Sequence, residues 1–236
     1  MQLLSQNGLK ANFDRNLHNV FWGVKTISGC VPCVYCIDRR WCKVIGGEDL
    51  MKALINLLFE ARILKEIPRS GFHFLGSGGE SVAEHAYMTT FIGCVLAHMQ
   101  PDVDQLKLLQ MCLIHDLSEA RTGDLNYVQK KYVVADEGKA MADLTRNVPF
   151  GGIIEGLFEE FRAGETLEAQ LAHDADQLSL VLELKALRDL GYDGPESWLP
   201  HVIARLKTRI GEDLARQVLK TASDAWWFEE KDCDKS

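Results

Sequence analysis

The chain has 236 residues, 47% of them hydrophobic and 25% charged, with a formal net charge of −8 at pH 7. That is enough for one domain with a sizeable core, and the acidic balance argues against a nucleic-acid or membrane-surface binder, although a local metal or a few Lys/Arg can still serve a small phosphorylated substrate. No apolar run reaches the length of a membrane span, the N-terminus has no basic start followed by an apolar stretch, and seven cysteines with four crowded into residues 30–42 do not make an extracellular disulfide framework, so the expected location is cytoplasmic.

Residues 1–49 lack a sustained helical or strand period and hold Cys30, Cys33, Cys36 and Cys42, spaced C-x2-C-x2-C-x5-C. Thiols this close suit zinc or an iron–sulfur cluster, but the spacing matches neither pattern cleanly. The competing expectation is that Met51 is the natural start. Gly-Gly-Glu codons just upstream can spell a ribosome-binding sequence, and residues 1–50 would then be translated leader without a fold. The mass of the native protein distinguishes the two.

After Met51 the chain reads as helix. "MKALINLLFEARILKEI" places Leu54, Leu57, Leu58, Ala61 and Leu64 on one face. "PRSGFHFLGSGG" breaks the pattern, and Ser81 with Glu84 forms a capping box that starts the next helix. "DVDQLKLLQMCLIHDLSEAR" reads as one helix stopping at Gly123. Residues 125–147 look helical but polar, followed by a short helix over 153–162 and a long one from Glu165 to Gly191. "YDGPESW" reads as a turn, and "PHVIARLKTRI" and "GEDLARQVLKTASDAWW" as two last amphipathic helices. The expected fold class is all-α, a compact bundle of six or more helices.

Three of these helices carry His or Asp inside the apolar stripe: His85 in the first, His115 and Asp116 in the second, Asp176 in the third. Glu119 lies one turn beyond His115 on the same face. Buried carboxylates need partners. Two imidazoles and two carboxylates from three helices suit one divalent metal with a mixed N/O ligand set. His173 and Asp174 compete with Asp176 for the third position and read as more exposed.

"ESVAEH" (80–85), "IHDLSEARTGDL" (114–125) and "HDADQL" (173–178), in this order, resemble the HD-domain metal-dependent phosphohydrolases. The likeness is closest to the branch with the 5′-deoxynucleotidases and covers about residues 51–230. The resemblance implies an HD core over residues 51–236 and a metal held by His85, His115, Asp116 and Asp176. The ion would be Mn, Co, Zn, Fe, Ni or Mg. Glu119 and Asp124 match the family's catalytic acidic pair. "IPRSGF" resembles its nucleotide-holding segment, so Arg69 and Phe72 are expected at the substrate, with Phe72 standing where the family has tryptophan. Arg69 reads equally as a helix-end cap. Lys130 and Lys131 are phosphate helpers or simply solvated.

The expected activity is phosphate release from nucleoside monophosphates. The expected partners are a small phosphorylated substrate and a second copy of the chain, the latter from exposed apolar helix faces and the resemblance. The alternatives are a catalytically silent nucleotide-sensing module and an HD-type di-iron oxygenase or bimetal phosphodiesterase. The last two need histidines between Asp116 and His173, and that interval has none.

Overall fold

The computed structural model describes residues 47–228; the four clustered cysteines and most of the proposed leader lie outside them. Among the described residues the regular structure is helical, apart from a single isolated β-bridge between Pro68 and Ser81. The helices are α1 (Gly47–Ile63), α2 (Phe72–Leu75), α3 (Val82–Met99), α4 (Gln105–Ile114), α5 (Glu119–Thr122), α6 (Glu137–Thr145), α7 (Gly151–Ala163), α8 (Leu167–Asp189), α9 (Gly194–Ile203), α10 (Arg209–Lys220) and α11 (Ala225–Phe228). The all-α bundle expected from the pattern is what forms. No helix among the described residues is long and apolar enough to cross a membrane.

The central element is α8, which packs against α3, α4, α7, α9 and α10. Two apolar clusters matter for the site, and the first includes α8. One joins Leu96 and Ala97 of α3, Leu108 and Met111 of α4, and Leu171, Ala172 and Leu178 of α8. The other joins Leu57 and Leu64, Val82 of α3, Met141 and Leu144 of α6, and Phe158 of α7. Burial of such side chains is worth about 1.5–3 kcal/mol each, so these two clusters fix where α3 and α4 lie. Both helices pass from one cluster to the other. Cys112 belongs to the first and Leu117 to the second, and the His115-Asp116 pair sits at the crossing.

Several local expectations are corrected. Leu58 is 70% exposed, so α1 buries a narrower stripe of Leu54, Leu57, Ala61 and Leu64. The expected single helix through His115 breaks. α4 ends at Ile114, and residues 114–121 form a tightened turn in which Leu117, Glu119, Ala120 and Arg121 N–H groups bond three residues back. Its cause is visible at His115. The ring Nδ1 donates to the Cys112 carbonyl at 2.8 Å, the acceptor that Asp116 N–H would take in an unbroken helix. Between Gly123 and Asp136 the chain is irregular, with a 3-10 turn at Gln129–Lys131, and α6 follows. The "YDGPESW" segment is partly helix: α9 starts at Gly194 with a proline in its first turn, where the missing N–H costs nothing.

Asp174, expected to be the more exposed carboxylate of its helix, is fully buried. It accepts from Lys207 N–H at 2.6 Å, from Thr208 N–H at 3.0 Å and from the Thr208 hydroxyl. Those groups lead into α10, so Asp174 anchors the start of that helix and is spent on structure. His173 is likewise engaged, donating through Nε2 to the Phe161 carbonyl at 2.8 Å and stacking on the Phe161 ring.

Candidate active site

His85 owes its place to the start of α3. The capping box expected there is present, with Glu84 N–H donating to Ser81 Oγ at 3.2 Å and Ser81 N–H to Glu84 Oε2 at 2.7 Å. The chain before it folds back along the same helix start. Val82 N–H donates to Ile67 O and Arg69 N–H to Glu80 O, both at 2.9 Å. This small ladder sets Arg69 and Glu80 side by side, next to the fully buried His85.

His115 comes from the C-terminus of α4. With Nδ1 donating to a carbonyl, its Nε2 is left as the bare, basic nitrogen. That atom is buried without a hydrogen-bond partner, 3.1 Å from Asp116 Oδ2. The His85 and His115 rings lie edge to face with centroids 5.4 Å apart. Ligand atoms of His85, His115 and Asp116 all fall within 4.8 Å of one another. Asp176 from α8 closes the fourth side, with Oδ1 3.0 Å from His85 Nε2. The structure thus brings together all four residues named as metal ligands in the sequence.

The donors fit a divalent cation: imidazole nitrogens and carboxylate oxygens are what borderline metals take. The charge balance points the same way. Burial disfavours charge on the His85 ring, yet the hydrogen bond to Asp176 and the carboxylate of Glu80 nearby outweigh it and raise the imidazole to about 9. Burial would also raise the Asp116 carboxyl, but His115, Arg69 and His85 hold it well below the usual carboxylate range. Such a pocket of carboxylates takes up positive charge, as protons or as a metal.

Around this centre stand the other predicted residues. Arg69 reaches Asp116 Oδ2 at 3.2 Å and Asp124 Oδ1 at 3.6 Å through one terminal nitrogen, Nη1, and Glu80 Oε1 at 4.0 Å through Nε. It faces the centre and does not cap a helix end. Asp124 follows Gly123, whose φ of 73° is a left-handed value that glycine adopts without strain and that turns the chain inward. Asp124 Oδ2 accepts from Ser70 N–H at 2.6 Å and Ser70 Oγ at 3.1 Å. Glu119 is buried, and its Oε2 has no hydrogen-bond partner. Burial first, then Asp116 and Asp124, push its carboxyl up to about 9.

Phe72 is largely buried at the start of α2. With Arg69, His73, Glu80 and the glycines of residues 76–79 it lines an open cleft of about 570 Å³. Lys130 and Lys131 are exposed. Sequence reasoning missed two residues here, Ser70 and Glu80. Both lie in the turn-rich stretch before α3, where no helical period marks which side chains face inward.

The HD domain family profile matches residues 61–218. The chain belongs to the HD domain family. Two curated relatives align with about half of the chain. One is the 5′-deoxynucleotidase HDDC2 of Dictyostelium discoideum, 28% identical over 51% of this chain and 70% of the relative. The other is the 5′-deoxynucleotidase HDDC2 of Danio rerio, 26% identical over 54% of this chain and 66% of the relative. Among solved structures, a conserved hypothetical protein of Pyrococcus furiosus superposes with a TM-score of 0.59 at 30% identity, over 71% of this chain and 99% of that one.

Proposed function

We propose that the chain is a metal-dependent phosphomonoester hydrolase acting on nucleoside or deoxynucleoside 5′-monophosphates. The observation that carries this reading is the convergence of His85, His115, Asp116 and Asp176, with one bare imidazole nitrogen, beside a half-buried arginine and an unpartnered buried carboxylate. The family and the names of the two curated relatives support it.

Those four residues would hold the ion. When bound, it supplies a Lewis acid for a phosphate oxygen and a means of acidifying water. The protein's own groups supply the rest. Arg69 is permanently charged and planar, and its present carboxylate partners hold it where a phosphate dianion would compete for it. Glu119 and Asp124 divide the remaining work by what already binds them. Asp124 has one oxygen occupied by two donors of Ser70 and the other beside Arg69, so it braces the arginine segment. Glu119 has a free, dry oxygen and is the group available to exchange a proton with water or with the leaving sugar oxygen.

A homodimer belongs to the same reading. Tyr87, Phe91, Val95 and Met99 recur every four residues along α3 and are all exposed, an apolar stripe that a second copy would cover.

The test of substrate class is a panel of phosphate monoesters, diesters and pyrophosphates assayed for released phosphate with Mn, Co, Zn, Fe, Ni and Mg. The reading expects nucleoside monophosphates to be preferred over sugar phosphates and diesters. Preferential cleavage of diesters or of pyrophosphate bonds would overturn it.

A further inference from the structure

We propose that Glu80 is a positioning residue for the metal centre: its carboxylate accepts the Nδ1–H of His85 and so aims the opposite ring nitrogen at the ion. This rests on the metal-centre reading above.

The two histidines face the same problem and the chain has solved only one of them with backbone. A nitrogen that ligates a metal cannot carry hydrogen, so the other nitrogen must, and in a dry interior that N–H needs an acceptor. For His115 the acceptor is the Cys112 carbonyl. For His85 no carbonyl is in place. Its Nδ1 is fully buried and without a hydrogen-bond partner. Glu80 Oε1 faces it at 3.6 Å and is itself buried and unpartnered.

That separation is too long for a hydrogen bond, and the reason is on the other side of the ring. Nε2 is drawn to Asp176 Oδ1 at 3.0 Å. With a cation bound, Nε2 would release its hydrogen to solvent and turn with Asp176 to the ion, and Nδ1 would carry the hydrogen that remains. A small rotation would then close the 3.6 Å gap to Glu80.

Glu80 is held ready for this. Its carbonyl accepts from Arg69 N–H, and the Pro68–Ser81 bridge locks the backbone on either side. Its side chain is only 8% exposed, with Arg69 Nε at 4.0 Å offsetting the charge. One carboxylate therefore stands between a metal ligand and the arginine proposed to hold phosphate, and ties their positions together.

The experiment uses the full chain stripped with EDTA, titrated calorimetrically with Mn(II), in wild type, Glu80→Gln, Glu80→Ala and Glu80→Asp. Loss of a ligand's oriented acceptor commonly costs about 10–100-fold in metal affinity. Glu80→Ala is expected in that range, Glu80→Gln toward its lower end because an amide oxygen remains, and Glu80→Asp closer to wild type. In parallel, the zinc-loaded wild type should show a slowly exchanging His85 Nδ1–H by NMR, absent in Glu80→Ala. Should Glu80→Ala fail to fold, Glu80→Gln decides. If the variants bind Mn(II) as tightly as wild type and lose only thermal stability in the stripped state, Glu80 is a loop brace and the inference is wrong. If wild type itself binds no metal, the metal-centre reading falls with it.

Discussion

The two nitrogens of His115 have separate tasks, and this explains why a helix interrupts itself there. Nδ1 takes a helix carbonyl, α4 ends, and Nε2 is bare beside Asp116. The same logic separates the acidic pair. Glu119→Gln removes the carboxyl proposed to exchange the proton, so kcat is expected to fall by about 100- to 10,000-fold while metal content, read by elemental analysis, stays at wild-type level. Asp124→Asn weakens the brace on Ser70 and Arg69. Its expected signature is a raised KM with a smaller loss in kcat, separable from Glu119→Gln in one set of steady-state curves. His115, Asp116 and Glu119 were legible because they sit together in sequence, and the motif order drew His85 and Asp176 to them. Asp174 was misread because a carboxylate on an apolar helix says only that some partner exists. Its partners, Lys207 and Thr208, lie more than thirty residues away and carry no signal of their own.

At the scale of elements, cues within one turn were reliable and distant ones were not. The Ser81–Glu84 box spans three residues and formed as expected. The break after Ile114 depends on a side chain competing for a carbonyl and leaves the apolar pattern intact, so periodicity ran straight through it. The α10 junction offers a direct check on packing. A Cβ on Gly211 would overlap the Asp174 carboxylate, which is buried and cannot move without losing three donors. Gly211→Ala is therefore expected to destabilise the fold by about 1–3 kcal/mol in urea unfolding, despite alanine's better helix propensity. An unchanged or stabilised protein would mean that Asp174 is not so fixed.

Across the whole molecule, a charge cluster links three helices. Lys107 of α4 meets Glu160 of α7 at 2.6 Å and Glu168 of α8 at 3.2 Å. The Lys107 hydrogen bond holds the Glu160 carboxyl below its usual 4.5. Glu168 is held low as well: burial works against its charge, but the Asp104 N–H and Lys107 outweigh it. Folded pKa values below the unfolded ones mean stability that is full above about pH 4.5 and is lost as pH falls through the lowered values. The stability gap between wild type and Lys107→Met, about 0.5–1 kcal/mol near neutrality for a half-exposed network, should shrink toward zero in acid. A gap independent of pH would remove the network from the account. The proposed dimer is checked at this scale too. Phe91→Asp on the exposed α3 stripe is expected to shift sedimentation from dimer to monomer. The helical class was readable from periodicity alone, whereas the meeting of two apolar clusters at the His115-Asp116 step emerges only in three dimensions.

The central claim is that one metal, held by His85, His115, Asp116 and Asp176, drives phosphate release. The measurement is phosphate released from deoxynucleoside monophosphates by wild type and Asp116→Ala, each stripped with EDTA and then supplied with a divalent ion. The account predicts no release from stripped wild type, recovery on adding metal, and no recovery in Asp116→Ala. Equal release by the two proteins, or full activity without metal, would contradict it.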